Sequence, residues 1–300
     1  MSTDVAPEIS VEPQFQTIYD LEREQVYQLT GDFLRQPDMP QGRRFVGAVV
    51  EWNDAISNAA RWLEARTFEG AFKHTPTEMA EMYGSVERDS RFLVVFDRKE
   101  QLPVGVIRVV RNESAYNMTL AEARQPQYVG ASLDEIIKYH DFRLTDKAWD
   151  VATMGIDEHY RGKMLGRGVH QVSVSGMLQR MFVKLGYQEG IVNVLAMLDD
   201  RAYRSLSAVG VPFMPLLGRD RSFRYKNSPA TYAVFGSFED FRPAVIARHE
   251  ALLKHSLVHE ILRRGIPKAL KRRGLAKVAG MAALGLGGVD QGIKMPASSD

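Results

Sequence analysis

The chain has 300 residues, a formal net charge of +2, and 45% hydrophobic and 25% charged residues, which is ample for one large domain or two small ones. The absence of cysteine excludes a disulfide framework, a thiolate nucleophile and thiolate metal sites. The near-neutral total hides an asymmetry: residues 241–300 hold 11 Lys/Arg and 4 Asp/Glu, a net of +7, which leaves the first 240 at −5.

Residues 1–15 are polar, lack the basic and apolar regions of a signal peptide and read as disordered. A helix is predicted over 18–34, stopped by Gln36-Pro37 and Met39-Pro40. Residues 45–72 predict one long helix or two, with Val46, Val49, Val50, Ile56, Ala60 and Leu63 at helical spacing. Thr75-Pro76-Thr77-Glu78 is a capping-box start for a short helix ending near Gly84. Apolar runs at 91–97 and 104–110 predict a hairpin. A long connection over 112–146, with one helix near 133–139, leads to a strand at 150–156. A turn at 157–160 and a helix over about 169–185 follow, then a strand at 190–197, a helix at 200–209 and a last strand at 231–235. This order implies an α+β fold, a mixed central sheet flanked by helices. It also assigns 16–240 to one domain with extra N-terminal helices, and 241–300 to a basic helical C-terminal extension with a flexible end.

The segment Arg161-Gly162-Lys163-Met164-Leu165-Gly166-Arg167-Gly168 leaves a strand and is expected to open a helix. First-turn amides lack intrahelical partners and the dipole there favours negative charge, so such a turn is an anion site. Arg161, Lys163 and Arg167 add side-chain charge for phosphate; the alternative is an ordinary strand-to-helix turn with a basic surface. The segment resembles the acyl-CoA pyrophosphate loop of the GNAT acyltransferase superfamily, Arg/Gln-x-x-Gly-x-Gly/Ala. It matches at Arg161 and Gly166, with Met164 at the internal glycine.

The resemblance extends over 89–235. After the strand at 190–197, GNAT members commonly read Asn-x-x-Ala-x-x-x-Tyr-x-x-x-Gly-Phe; this chain has Asp199, Ala202, Leu206, Gly210 and Val211 at those places. The tyrosine slot, often the acid that protonates the leaving thiolate, is Leu206. Tyr203 lies three residues earlier on a neighbouring helix face, either as a substitute acid or as a packing tyrosine. The strand Trp149-Asp150-Val151-Ala152-Thr153-Met154-Gly155-Ile156 resembles Glu-x-Ser-Arg-Phe-x-Val of the acyl-homoserine-lactone synthases. Asp150 stands in the slot of the Glu that assists amine deprotonation, Thr153 in the Arg slot and Met154 in the Phe slot. The Arg-to-Thr change argues against the homoserine-lactone substrate itself and towards the neighbouring N-acyl amino acid synthases. Glu87-Arg88-Asp89-Ser90 and Arg66-Thr67-Phe68 are short further matches to that branch.

The resemblance implies an N-acyltransferase that moves an acyl group, of long chain for an amino acid acceptor, from a pantetheine thioester to an amine. Its implied catalytic residues are Asp150 as base and Tyr203 as acid. Its implied donor-binding residues are Met154, Gly155, Ile156, Arg161, Gly162, Lys163, Met164, Leu165, Gly166, Arg167 and Gly168. Gly155 either lets ligand backbone approach closely or fills a packing gap under a helix; Asp150 is either a base in a cleft or a strand-end carboxylate in solvent. No cofactor is bound permanently; acyl-CoA or an acyl carrier protein is co-substrate. The alternative is a GNAT-fold binding module without catalysis, which the Leu206 and Met164 replacements favour.

Other sites are weakly signalled. His255 and His259 form an i, i+4 pair without a third ligand, so no metal is expected. Ser173 and Ser175 follow no nucleophile-elbow pattern, and Gly285-Leu286-Gly287-Gly288 follows no strand. The absence of cysteine fits a cytoplasmic location, with peripheral membrane association as the alternative, and no stretch approaches a membrane span. Residues 245–289 read as basic amphipathic helices that fold back on the acidic domain, lie on an anionic membrane surface or dock an acidic carrier protein. Nucleic acid is disfavoured, because no aromatic residues interleave the charges.

Overall fold

The computed structural model describes residues 18–111, 116–165, 172–208, 211–218, 221–241, 243 and 293–294. In chain order these form α1 (Arg23–Leu34), β1 (Phe45–Glu51), α2 (Ser57–Phe72), α3 (Pro76–Tyr83), β2 (Ser90–Asp97), β3 (Leu102–Val110), α4 (Thr119–Ala123) and α5 (Leu133–His140). Then follow β4 (Ala148–Ile156), β5 (Met164–Leu165), β6 (Val172–Ser173), α6 (Val174–Glu189), β7 (Asn193–Asp199), α7 (Asp200–Ala208), β8 (Met214–Pro215), β9 (Phe223–Tyr225), β10 (Ser228–Ser237) and β11 (Ile293–Lys294). The main sheet runs β11-β1-β2-β3-β4-β7-β10-β8, with β9 paired to β10. Its ladders are antiparallel except β1 with β11 and β4 with β7. The fold is the expected α+β arrangement of a mixed sheet flanked by helices.

Helices cover both faces. Val46, Ala48, Val50, Phe92, Val94, Phe96 and Val106 pack with Val26, Leu34, Ala60 and Leu63 of α1 and α2. The alternate residues Leu93, Val95, Ile107 and Val109 pack with Val174, Met177, Leu178, Met181 and Leu185 of α6. Double burial explains the misassignment of 45–51. A strand covered on both faces reads as a continuous apolar run, and Val46, Val49 and Val50 also satisfy a helical period. Residues 45–51 are β1, an antiparallel partner of β2, and the helix begins only at Ser57. The helix expected over 18–34 is interrupted: Ile18 and Tyr19 are helical, the chain breaks at 20–22, and α1 restarts at Arg23 behind a Glu22/Gln25 capping box. The Thr75/Glu78 box is present as read. The expectation for 1–15 and the helices expected over 245–289 lie outside the described residues. Near the chain's end, expected to be flexible, Ile293 and Lys294 pair with Gly47 and Ala48.

A buried polar network ties α2, the turn before β2, β3 and β4 together. Arg108 sits mid-strand in β3, fully buried, and bonds Glu64 of α2 (2.7 Å) and Glu87 (2.8 Å). Arg61 also bonds Glu87, the Tyr19 hydroxyl donates to Glu87 (3.0 Å), and the Thr153 hydroxyl donates to Glu64. Burial opposes the charge on Glu87, but Arg108 and Arg61 outweigh it and hold the carboxyl below its usual range. The Arg108 guanidinium also lies over the rings of Tyr83 (4.4 Å) and Phe92 (4.6 Å). Removing one partner strands the others in low dielectric. Arg108→Met, of similar volume, is expected to lower unfolding free energy by about 3–5 kcal/mol in urea titration. A loss below about 1 kcal/mol would show that the network is energetically idle.

Candidate active site

β4 and β7 pair through only Ala148/Asn193, Trp149/Val194 and Asp150/Leu195. Beyond that point β4 is laddered only to β3, and β7 only to β10, so the two strands part. In the same stretch β4 carries a bulge. Val109 opposes Val151 and Arg108 opposes Thr153, which leaves Ala152 as the extra residue. The Tyr83 hydroxyl reaches the Ala152 carbonyl at 3.4 Å. A bulge changes which face later side chains take. Val151 and Met154 both pack towards α6, whereas Asp150 and Thr153 both turn to the opposite face, towards α4 and α2. Without the extra residue, Asp150 and Thr153 would face opposite ways.

A groove of about 2400 Å³ follows the parting. One side is lined by Ile107, Val151, Met154 and Ile156 with Gly176, Gln179, Arg180 and Val183 of α6. The other is lined by Leu63, Thr67, Tyr83, Thr119, Asp150, Thr153 and Tyr225. Because both faces of β4 contribute, the groove runs between the splayed strands, from one side of the sheet to the other.

Asp150 is 1% exposed and lies in the groove wall, which removes the strand-end-in-solvent alternative. Its Oδ2 accepts from the Thr119 backbone N–H at 2.8 Å. Burial pushes its pKa up to about 7, against the opposing effect of the Thr119 hydrogen bonds. Thr153, in the Arg slot of the homoserine-lactone synthases, donates to Glu64, and the guanidinium at that carboxylate comes from its cross-strand partner Arg108. Met154 and Ile156 line the groove, partly buried. Gly155 points the other way: a Cβ there would lie 3.0 Å from Thr67 Oγ1 and 3.2 Å from a Val106 methyl, so the missing side chain lets α2 pack on the strand.

After β4, Asp157 caps a short turn by accepting from the His159 N–H (2.9 Å), and the Arg161 Nε donates to the Ile156 carbonyl (2.9 Å). Tyr160 pins this turn through its hydroxyl, which donates to Asp97 (2.8 Å). Burial and that bond raise the Tyr160 pKa to about 12. Asp97 also accepts from Arg44 Nη2 at 2.7 Å. Arg161 and Gly162 line the groove; Gly162 has φ +68°, a backbone conformation suited to glycine. The expectation that this turn opens directly into a helix is corrected. Met164-Leu165 pair with Val172-Ser173 as a small hairpin, and α6 starts at Val174. The cause is local: Leu165 buries in the α6 core, and Ser173 is the N-cap, accepting from the Gly176 N–H (3.0 Å). Lys163 is exposed, and Gly166, Arg167 and Gly168 lie outside the described residues.

On α7, Asp199 accepts from the N–H groups of Arg201 (2.9 Å) and Ala202 (3.0 Å), a helix cap in the family's Asn slot. Ala202, Ser205 and Leu206 line the groove. The Tyr203 ring lies against Tyr232, with centroids 4.6 Å apart, beside Leu198 and Val234 and off the groove lining. The tyrosines that do line it are Tyr83, Tyr160, Tyr187 and Tyr225. Tyr225 carries a pKa raised by burial and by the nearby Glu122, Tyr128 and Asp150. The sequence reading missed Tyr225, Thr119, Arg108 and Glu64. Arg108 alone had a visible signal, a charge inside an apolar strand.

Helix–ββ–long connection–β–helix–β–helix–β is the order expected from the sequence, with a parallel pair splayed beside a bulge within it. That order of elements is similar to the one the GNAT resemblance covers. No family model and no curated protein matches the chain. Among solved structures it is similar to FeeM, an N-acyl amino acid synthase from uncultured soil microbes, at 13% identity over 68% of this chain and 97% of that one, TM-score 0.45. It is similar to the AHL synthase LasI at 9% identity over 68% and 95%, TM-score 0.44. It is also similar to a putative N-acetyltransferase from Lactobacillus plantarum at 11% identity over 65% and 99%, TM-score 0.41.

Gly155→Val is expected to cost about 1–3 kcal/mol in thermal or urea unfolding through overpacking against Thr67. Parental stability would show that the α2 contact does not require glycine there.

Proposed function

We propose that the protein is an N-acyltransferase that moves an acyl group from a CoA thioester to the amine of an amino acid. The observation that carries this reading is the buried Asp150 carboxylate in the wall of a groove that runs between two splayed strands. The thioester lies along the free side of β4, where backbone groups released from the ladder offer donors to the developing oxyanion. Asp150 takes a proton from the acceptor nitrogen, the nitrogen attacks the thioester carbonyl carbon, and the C–S bond breaks. The thiolate leaves with CoA and takes its proton from solvent, which asks nothing of Tyr203. Arg66, Lys73 and Lys226 line the acceptor side of the groove and suit the carboxylate of an amino acid. The apolar groove wall of Leu63, Phe68, Met82 and Met118 suits a long acyl chain. Arg161 and Lys163 are assigned to the donor's phosphates. The inert binding module remains the second reading, favoured by Leu206 in the tyrosine slot; it predicts thermal stabilisation by CoA with no thiol release.

Asp150→Asn is expected to keep CoA binding and to lower turnover roughly a hundredfold, the usual scale for a general base. In the parent, kcat/KM should rise with pH through about 7 as Asp150 loses its proton. The same variant gives an independent stability signature. A carboxyl with a raised folded-state pKa favours folding most below its unfolded pKa, and that advantage is lost as pH rises through the folded value. Asp150→Asn should therefore unfold at a higher temperature than the parent above about pH 7. Parental turnover across pH removes Asp150 from the mechanism. For the donor turn, Arg161→Ala is expected to weaken CoA binding about tenfold by calorimetry, with stability little changed; equal affinity counts against the assignment.

A further inference from the structure

The turn after β4 leaves the sheet with few ties. The Asp157 N–H donates to the Val104 carbonyl (3.1 Å), and the backbone bonds that follow are internal to the turn. They run from the Tyr160 N–H to the Asp157 carbonyl (2.9 Å), from Arg161 to Glu158 (3.3 Å) and from Lys163 to Tyr160 (3.3 Å). Residues 157–162 all line the groove. Among the described residues, one hydrogen bond ties 158–163 to another strand, from the Tyr160 hydroxyl to Asp97 Oδ2 (2.8 Å). It joins residues 63 apart in the chain, and β3 lies between the two strands it connects. The receiving carboxylate is fixed in turn. The Asp97 side chain is fully buried, Arg44 Nε reaches both of its oxygens at 3.0 Å, and the Lys99 N–H donates to Oδ1 (2.9 Å). The Tyr160 ring sits edge-on against Phe45 of β1, with centroids 6.0 Å apart.

We propose that Tyr160 is a positioning residue for the acyl donor, its bond to Asp97 holding the turn so that Arg161 and the Gly162 backbone meet the phosphates of the CoA thioester already ordered. This rests on the assignment of that turn to the donor's phosphates. A short segment closed only by its own local bonds samples many conformations, and ordering it on binding subtracts from affinity. A phenol donating to a carboxylate is a charge-assisted bond, among the stronger ones a protein makes. It removes that ordering cost in advance. On the same reading the thioester end lies along β4, ahead of the turn, so the effect is confined to the part of the donor that carries phosphate.

The test compares donors with and without the nucleotide. CoA affinity is measured by calorimetry, and thiol release is followed from octanoyl-CoA and from S-octanoyl-N-acetylcysteamine, each with a mixture of the common L-amino acids. Tyr160→Phe keeps the ring on Phe45 and removes only the hydroxyl. It is expected to weaken CoA binding about tenfold, the effect of leaving the turn competent about a tenth of the time. KM for octanoyl-CoA should rise equally, while kcat, and kcat/KM for the phosphate-free donor, stay parental. Asp97→Asn, which weakens the acceptor, carries the same test if the phenylalanine variant does not fold. Parental CoA affinity in Tyr160→Phe overturns the proposal. So does a rate lowered alike with both donors, which would mark a general loss of structure or a proton-transfer role. Arg161→Ala run alongside separates the two claims. If it binds CoA like the parent, the donor-turn assignment falls; if it binds weakly while Tyr160→Phe binds like the parent, only the role of Tyr160 falls.

Discussion

The site depends on β4 and β7 holding each other for three residue pairs and then letting go. Backbone donors and acceptors at the parting lose ladder partners, which in a protein interior costs on the order of 1–3 kcal/mol per unsatisfied group. The opening persists because each strand is fixed from its other side. β4 is laddered to β3 along its length, and β7 to β10. Helices clamp both faces: α2 presses on β4 closely enough to require glycine at 155, and α6 packs on β2 and β3. A sheet gap held open this way is a preformed groove between the two strands.

The two sets of buried charge beside that slot behave oppositely. Arg108, Arg61, Glu64 and Glu87 neutralise one another, and their hydrogen bonds cross from α2 to the central strands. Such a cluster stiffens the wall that carries the bulge, and the Thr153 hydroxyl extends it onto β4 itself. Among the described residues Asp150 has no ion-pair partner, its Oδ2 accepts from the Thr119 N–H, and burial displaces its ionisation towards neutral pH. A buried carboxylate with a perturbed pKa in a groove wall is the pattern by which candidate functional groups are recognised.

The Tyr160–Asp97–Arg44 contacts extend the same logic to the turn after β4. Hydrogen bonds from Arg44, Tyr160 and the Lys99 N–H overcome the burial of Asp97 and hold its carboxyl below its usual range. The turn that carries Arg161 is thereby anchored to the end of β2, a residue of the rigid sheet. Local signals alone would have left it as a basic loop.

The sequence by itself determined the fold class, the β2–β3 hairpin, the α3 capping box and the strand that carries Asp150, because alternation, capping chemistry and turn residues are local properties. It misassigned 45–51, where burial on both faces erases alternation, and it started the helix after the turn at 157–162 too early, because residues 172–173 pair with 164–165 and Ser173 caps the helix at Val174. Tertiary structure alone decided which way the site residues face. The single extra residue at Ala152 puts Asp150 and Thr153 on one side of the sheet, and α7 docks so that Leu206 meets the groove while Tyr203 meets Tyr232. Tertiary structure also decided that Arg108 of β3 brings its guanidinium to the carboxylate that Thr153 bonds. Cross-strand register and helix docking join residues far apart in the chain, and no spacing within one segment encodes them.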